Sequence, residues 1–312
     1  MQWKSAQRLA LLALLGGATG IGFAPILVRL SEMGPSATAF YRLFFALPLL
    51  WLAASLEPGS NARKLASRSD HTLGLGQLPP KLSRRGGFWR SPLRLCALAG
   101  FLFADDLAFW HWSLKLTSVA NSTLLTNCAP FFVMLGARVV FSERITVWLL
   151  AGLGAASVGA ALLVGASLHL TPRHLLGDLL ALTTAAFYGG YLLTIKYLRL
   201  SLSTARTLAW SGLVSCGLLL LIALASHESI WVTSARGWMV LLALGWVSHI
   251  GGQGLIAYAL AHLPAGFSSV GLLLQPVVAA VLAWFILSEG LSLAQMVGGA
   301  IILAGIGVAS RA

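Results

Sequence analysis

Long apolar runs, each close to the length of a bilayer-spanning helix, succeed one another along this chain. Such a helix takes roughly 20 apolar residues. The runs predict ten helices, over 9–29, 36–56, 93–115, 118–140, 145–167, 174–198, 204–226, 236–259, 264–287 and 291–310. Breakers mark several junctions: Gly34-Pro35 after the first helix, Pro172 before the sixth and Pro264 before the ninth. Apolar residues go nearly all round each helix, the pattern of a rod bathed in lipid rather than of a soluble amphipathic helix. The stretch 57–92 breaks the pattern; rich in Gly, Ser, Pro, Arg and Lys, it reads as a flexible cytoplasmic loop.

The runs also repeat. A shift of 146 residues lays Ser122 on Ser268, Pro130 on Pro276, Ala137 on Ala283 and Ser142-Glu143 on Ser288-Glu289, with Gly152 and Gly159 falling on Gly298 and Gly305. Matches among Ala, Gly and Leu are cheap in such a composition, but a Pro followed thirteen residues later by Glu, twice, is not. A fainter match at a shift of 167 sets Ala18, Gly22 and Arg29 over Ala185, Gly189 and Lys196, and the long loop absorbs the difference. The expected fold is an all-α membrane protein of two five-helix repeats, 1–167 and 168–312. Five is odd, so the second repeat enters the membrane inverted. Inverted repeats place a site near the midplane and let it face either side in turn.

Composition sharpens this. Of the 312 residues, 58% are hydrophobic and 10% charged, against about 25% charged in an ordinary soluble domain. The net charge of +12 would suggest nucleic acid as a partner of a soluble protein; here the basic residues sit between apolar runs and act as topology signals. With the N-terminus inside, 16 of the 21 Lys and Arg fall on the cytoplasmic side, many of them in 57–92. Both termini of this multi-pass chain are therefore expected in the cytoplasm. The first run follows Lys4 and Arg8 as a signal peptide would, but it exceeds a signal core and ends at Arg29 without a clear cleavage site; it reads as a retained span. Cys96, Cys128 and Cys216 lie in apolar stretches without CxxC spacing, which argues against a metal site or a disulfide framework.

Polar side chains at membrane depth are costly and commonly face a cavity or a partner. The third helix carries the densest group: Asp105, Asp106, Trp110, His111 and Trp112. Asp106 and Trp110 share one face, Asp105 and Trp112 another. Either aspartate is a candidate for an amine or a proton, or for a bond to a neighbouring helix. Trp246, His249 and Gln253 form one stripe on the eighth helix, with Tyr258 toward its end. Tyr188 and Tyr191 flank Gly189-Gly190 on the sixth; Asn121 and Asn127 precede Pro130 on the fourth; Gln275-Pro276 is the repeat partner of that proline region. Pro130 and Pro276 are candidate flexing points, or static kinks. Arg42 fits a carboxylate, though snorkelling to the surface is the plainer expectation. Glu143 and Glu289 read as turn or cap residues, and Ala151, Ala155 and Gly159 as a close-packing face that would also suit a homodimer.

The five-helix halves, the Pro130 to Ser142-Glu143 segment with its Pro276 to Ser288-Glu289 echo, and the run from Asp106 to Leu125 resemble the EamA family of the drug/metabolite transporter superfamily. The resemblance covers the chain except for 57–92. It implies ten helices around a central cavity, with helices one to four and six to nine lining it and five and ten outside. It implies secondary transport of small metabolites, with amino-acid export the best-known activity of similar bacterial members. The aromatic set suits an apolar or zwitterionic solute. Drug or nucleotide-sugar transport is the alternative. Asp105-Asp106 with His111 superficially suggests a lipid enzyme, but a second ligand cluster and a nucleophile–base pair are missing. No Walker loop is present, and no cofactor is expected. The expected partners are a small-molecule substrate and membrane lipid, not nucleic acid.

Overall fold

The computed structural model of the protein describes residues 5–57, 91–117, 119–164, 172–288 and 290–312. Most of the predicted 57–92 loop, Glu289 and the side chain of Asn121 lie outside the described residues.

Where the chain is described it is helical, with no strand. The helices are α1 (Ser5–Gly22 and Ala24–Leu30), α2 (Pro35–Phe44 and Leu47–Leu56), α3 (Pro92–Leu116), α4 (Val119–Thr126 and Ala129–Val140) and α5 (Val147–Val164). They continue as α6 (Pro172–Leu198), α7 (Thr204–Ala225), α8 (Ala235–Ala243, Leu244–Gln253 and Gly254–Leu260), α9 (Ala265–Gly271 and Leu274–Leu287) and α10 (Leu293–Ala309). Among the described residues seven helices are long and apolar enough to cross a membrane, and α5 and α10 are shorter apolar helices. Outward-facing Leu12, Val139, Val147, Leu221 and Phe285 give the bundle a surface fit for lipid.

Proline sets the breaks. Pro25, Pro48, Pro130 and Pro276 each stand just after an interruption, because proline lacks the N–H that an α-helix needs and clashes with the carbonyl four residues back. The middle of α8 is π-helical over Leu244–Gln253, a wide-turned form that recurs at functional sites.

The first five helices interlock with the last five. α1 packs on α8 and α9, α2 on α7 and α8, α3 on α6 and α7, α4 on α6 and α9, and α5 on α10. Exchanging each helix with the one five places on leaves this set of pairs unchanged. The tightest pair is α5 with α10. A methyl group built on Gly152 would lie 2.5 Å from the Gly305 carbonyl oxygen, and one on Gly159 would lie 2.6 Å from that of Gly298. As one helix ascends the other descends, so the two run antiparallel with only hydrogens between their backbones. The close-packed face is Gly152, Ala156 and Gly159, not the expected Ala151, Ala155 and Gly159: Ala151 is exposed and Ala155 half-buried. It is covered by α10 of the same chain.

Candidate functional site

A cavity of about 160 Å³ lies within the bundle, walled by α1, α2, α3, α4, α6, α8 and α9. Three of the proline breaks converge on it. Pro25, Pro130 and Pro276 all line it, and so do Ile21, Thr126 and Leu272, the residues four positions earlier whose carbonyls lose their α-helical partner. The Leu272 carbonyl instead accepts from the Gln275 N–H at 3.0 Å.

The cavity's polar groups come from several helices. Asp106 on α3 is 8% exposed and Arg42 on α2 is 5% exposed, and both line it. The Arg42 guanidinium lies 5.8 Å from the centre of the Phe103 ring, and its Nε has no hydrogen-bond partner among the described residues. Thr184 Oγ1 donates to the Asp106 carbonyl at 3.4 Å, tying α6 to α3 beside the cavity. The Tyr188 hydroxyl faces Gln275 and Gln253, and that of Tyr191 faces Gln253. Trp110, Asn127, Gln253 and Gln275 complete the expected residues that reach the cavity.

Other expected residues lie elsewhere. Tyr191 is buried behind the wall, stacked on Phe103 at 4.6 Å. His249 also packs against Phe103, with ring centres 5.6 Å apart, and neither ring nitrogen has a hydrogen-bond partner among the described residues. His111 is buried against Trp110, and Asp105 does not line the cavity. Trp112 and Trp246 face outward, 40% and 50% exposed, and the Trp246 indole donates to the Phe45 carbonyl at 3.2 Å. The expected stripe of Trp246, His249 and Gln253 assumed α-helical spacing. In the π-helical segment each residue advances less around the axis, which separates Trp246 from the other two. Tyr258 stacks on His262, away from the cavity.

Arg42, expected to snorkel, is instead a buried wall of the cavity. Thr126, Thr184 and Ser269 also line it, beyond the residues the sequence points to; the Thr126 and Ser269 hydroxyls bond their own helices and give no pattern to read.

One end of the bundle is closed by charge, one helical turn beyond the lining residues Leu192 and Ser269. Lys196 of α6 pairs with Glu143 at 2.9 Å and donates to the Leu263 carbonyl at 2.7 Å. Glu143 accepts from the Ala265 and Gly266 N–H groups at 2.9 and 3.1 Å, thereby capping α9. The turn residue of the sequence is thus a bridge between the two halves. At the other end, Glu228 accepts from the Ala37 N–H at 2.9 Å and Tyr41 donates to the Ile230 carbonyl at 2.8 Å. Cys96, Cys128 and Cys216 are free thiols, and no cluster of metal-ligating residues occurs among the described residues.

Comparison with known proteins fits this architecture. The chain matches the EamA-like transporter family over residues 8–165 and again over 175–311. It is 30% identical over 228 residues to a protein of Streptantibioticus cattleyicolor named as a probable terminal-alkyne amino-acid exporter, covering 70% of this chain and 72% of that one. It is 27% identical over 218 residues to an uncharacterized transporter of Archaeoglobus fulgidus, covering 70% and 76%. A solved crystal structure shares the fold at a TM-score of 0.72 and 17% identity, over 97% of this chain and 96% of that one.

Proposed function

The chain belongs to the EamA-like transporter family, a multi-pass membrane protein by its helices, and we propose that it is a secondary transporter exporting amino acids by alternating access. Ten helices cross the membrane in this reading, as two five-helix halves of opposite polarity with both termini in the cytoplasm. The observation that carries it is the central cavity, walled by both halves and lined by the buried Asp106 and Arg42. Buried charges there mark a solute path more than a structural core. Two further features support the inversion: the helix pairing that survives exchange of the halves, and the antiparallel glycine contacts of α5 with α10. The named relative from Streptantibioticus cattleyicolor supports the substrate class.

Counterflow in proteoliposomes tests this. Vesicles preloaded with an unlabelled amino-acid mixture should transiently accumulate a labelled amino acid from outside, and protein-free vesicles should not. Uptake of labelled nucleotide sugars or cationic drugs, with none of any amino acid, would overturn the substrate class. No flux of any of these would overturn transport by this protein.

A further inference from the structure

An amino-acid transporter must distinguish an amino acid from the amines and acids that share half its chemistry. Two groups in the cavity are placed to do so. Arg42 and Asp106 carry opposite charges, are both more than nine-tenths buried, and enter from adjacent helices α2 and α3. They interact electrostatically, yet they do not close on each other: among the described residues the contact ion pairs are Lys196–Glu143 and Arg206–Glu57. A guanidinium and a carboxyl group therefore stand apart inside the bundle, the guanidinium with an Nε unpartnered among the described residues. Burial of that kind is costly unless something else satisfies both charges.

A zwitterion supplies the complement of each. A carboxylate matches the planar fork of a guanidinium, and an ammonium group matches the Asp106 carboxylate. The wall around them is largely apolar and aromatic, with Trp110, Tyr188, Ile21 and Leu273 among its residues. Among the described residues no further Lys, Arg, Asp or Glu lines the cavity, so a charged substrate side chain would find no partner there.

We propose that Arg42 and Asp106 form a charge clamp that selects α-amino acids with an apolar side chain, Arg42 taking the carboxylate and Asp106 the ammonium. This deepens the amino-acid reading above and rests on it. A simple amine or carboxylic acid satisfies one charge and leaves the other unmatched. Discrimination against both follows from that unmatched charge rather than from size.

The test compares L-phenylalanine and L-leucine with phenethylamine and isoamylamine, which lack the carboxylate, and with 3-phenylpropionate and 4-methylpentanoate, which lack the amine. In counterflow with the unaltered protein, the amino acids should compete about 10- to 100-fold better than either set of analogues, the range expected for one lost charge-assisted hydrogen bond. This comparison needs no variant and so cannot be confused with misfolding. Asp106→Asn should then abolish the preference for phenylalanine over 3-phenylpropionate, and Arg42→Gln the preference for phenylalanine over phenethylamine, each leaving the other preference in place. Melting temperature in detergent identifies any variant that fails to fold. If the unaltered protein moves phenylalanine no better than its amine and its acid, or moves only charged amino acids, the clamp is wrong while amino-acid transport stands. If no amino acid moves, the amino-acid reading itself falls.

Discussion

Removing the charge on Glu143 should loosen the end of the bundle where Lys196 is held. Lys196 and Glu143 have side chains only 6% and 17% exposed and pair at 2.9 Å. Taking one partner from a buried pair costs about 3–5 kcal/mol, since the other is left as an uncompensated charge. Two features of this site lower that figure. The Leu263 carbonyl still accepts from Lys196, and a glutamine oxygen at position 143 can still receive one of the Ala265 and Gly266 N–H groups, which the carboxylate takes on separate oxygens. Glu143→Gln is therefore expected to cost about 2–3 kcal/mol, the stranded ammonium carrying most of it. Lys196→Met should cost a similar amount by stranding the carboxylate. The double variant should cost well under the sum, because neither charge is then stranded. Chemical denaturation in detergent reads the stability, and labelling of a single cysteine at Ser269 reads how readily this end opens to a membrane-impermeant thiol reagent. Both single variants should label faster than the parent. Additivity of the two single variants to within about 0.5 kcal/mol, or labelling no faster than in the parent, would refute the account of this contact as a bridge that closes the bundle.

Other expectations follow from particular contacts. Gly152→Ala and Gly298→Ala should each destabilise by about 1–3 kcal/mol through overpacking, since a methyl group at either meets backbone at 2.5–2.6 Å; Gly154→Ala, with nothing within 4 Å, should be neutral or stabilising by up to about 1 kcal/mol, all three read by thermal melting. Trp246→Phe should leave transport unchanged in the counterflow assay and cost about 0.5–1.5 kcal/mol for its lost bond to the Phe45 carbonyl. Tyr188→Phe should weaken substrate competition by several-fold with little change in melting, because its hydroxyl faces Gln253 and Gln275 at the cavity. Arg206→Gln breaks a half-exposed pair with Glu57 at 3.6 Å, and melting should change by less than the equivalent of about 1 kcal/mol.

The helices were legible because apolar length alone sets them, and the observed segments fall within a few residues of the expected ranges. The prolines were legible for the same local reason: a missing N–H breaks a helix wherever it occurs. The faces were read less well. Asp106 and Trp110 share the cavity face expected of α3, while Trp112 turns outward. On α8 the three-and-four spacing failed because the backbone there is π-helical, and nothing in Leu244–Gln253 announces that. Arg42 was misplaced for a different reason. A long cation one-third of the way along a span can reach the surface or turn inward, and only the neighbouring helices decide. The role of Glu143 depends on α6 and α9, which are distant in sequence. Both are long-range questions that one chain's local pattern does not contain.

The glycine crossing of α5 and α10 has a mechanical side. Contacts of backbone on backbone at two levels, seven residues apart, hold the register as teeth hold a rack. Sliding by even a fraction of a turn would bring side chains where only hydrogens fit. Any rearrangement that uncovers the cavity first on one side and then on the other must therefore pivot about this pair as about a fixed post, with the travel borne by the helices whose prolines already interrupt them.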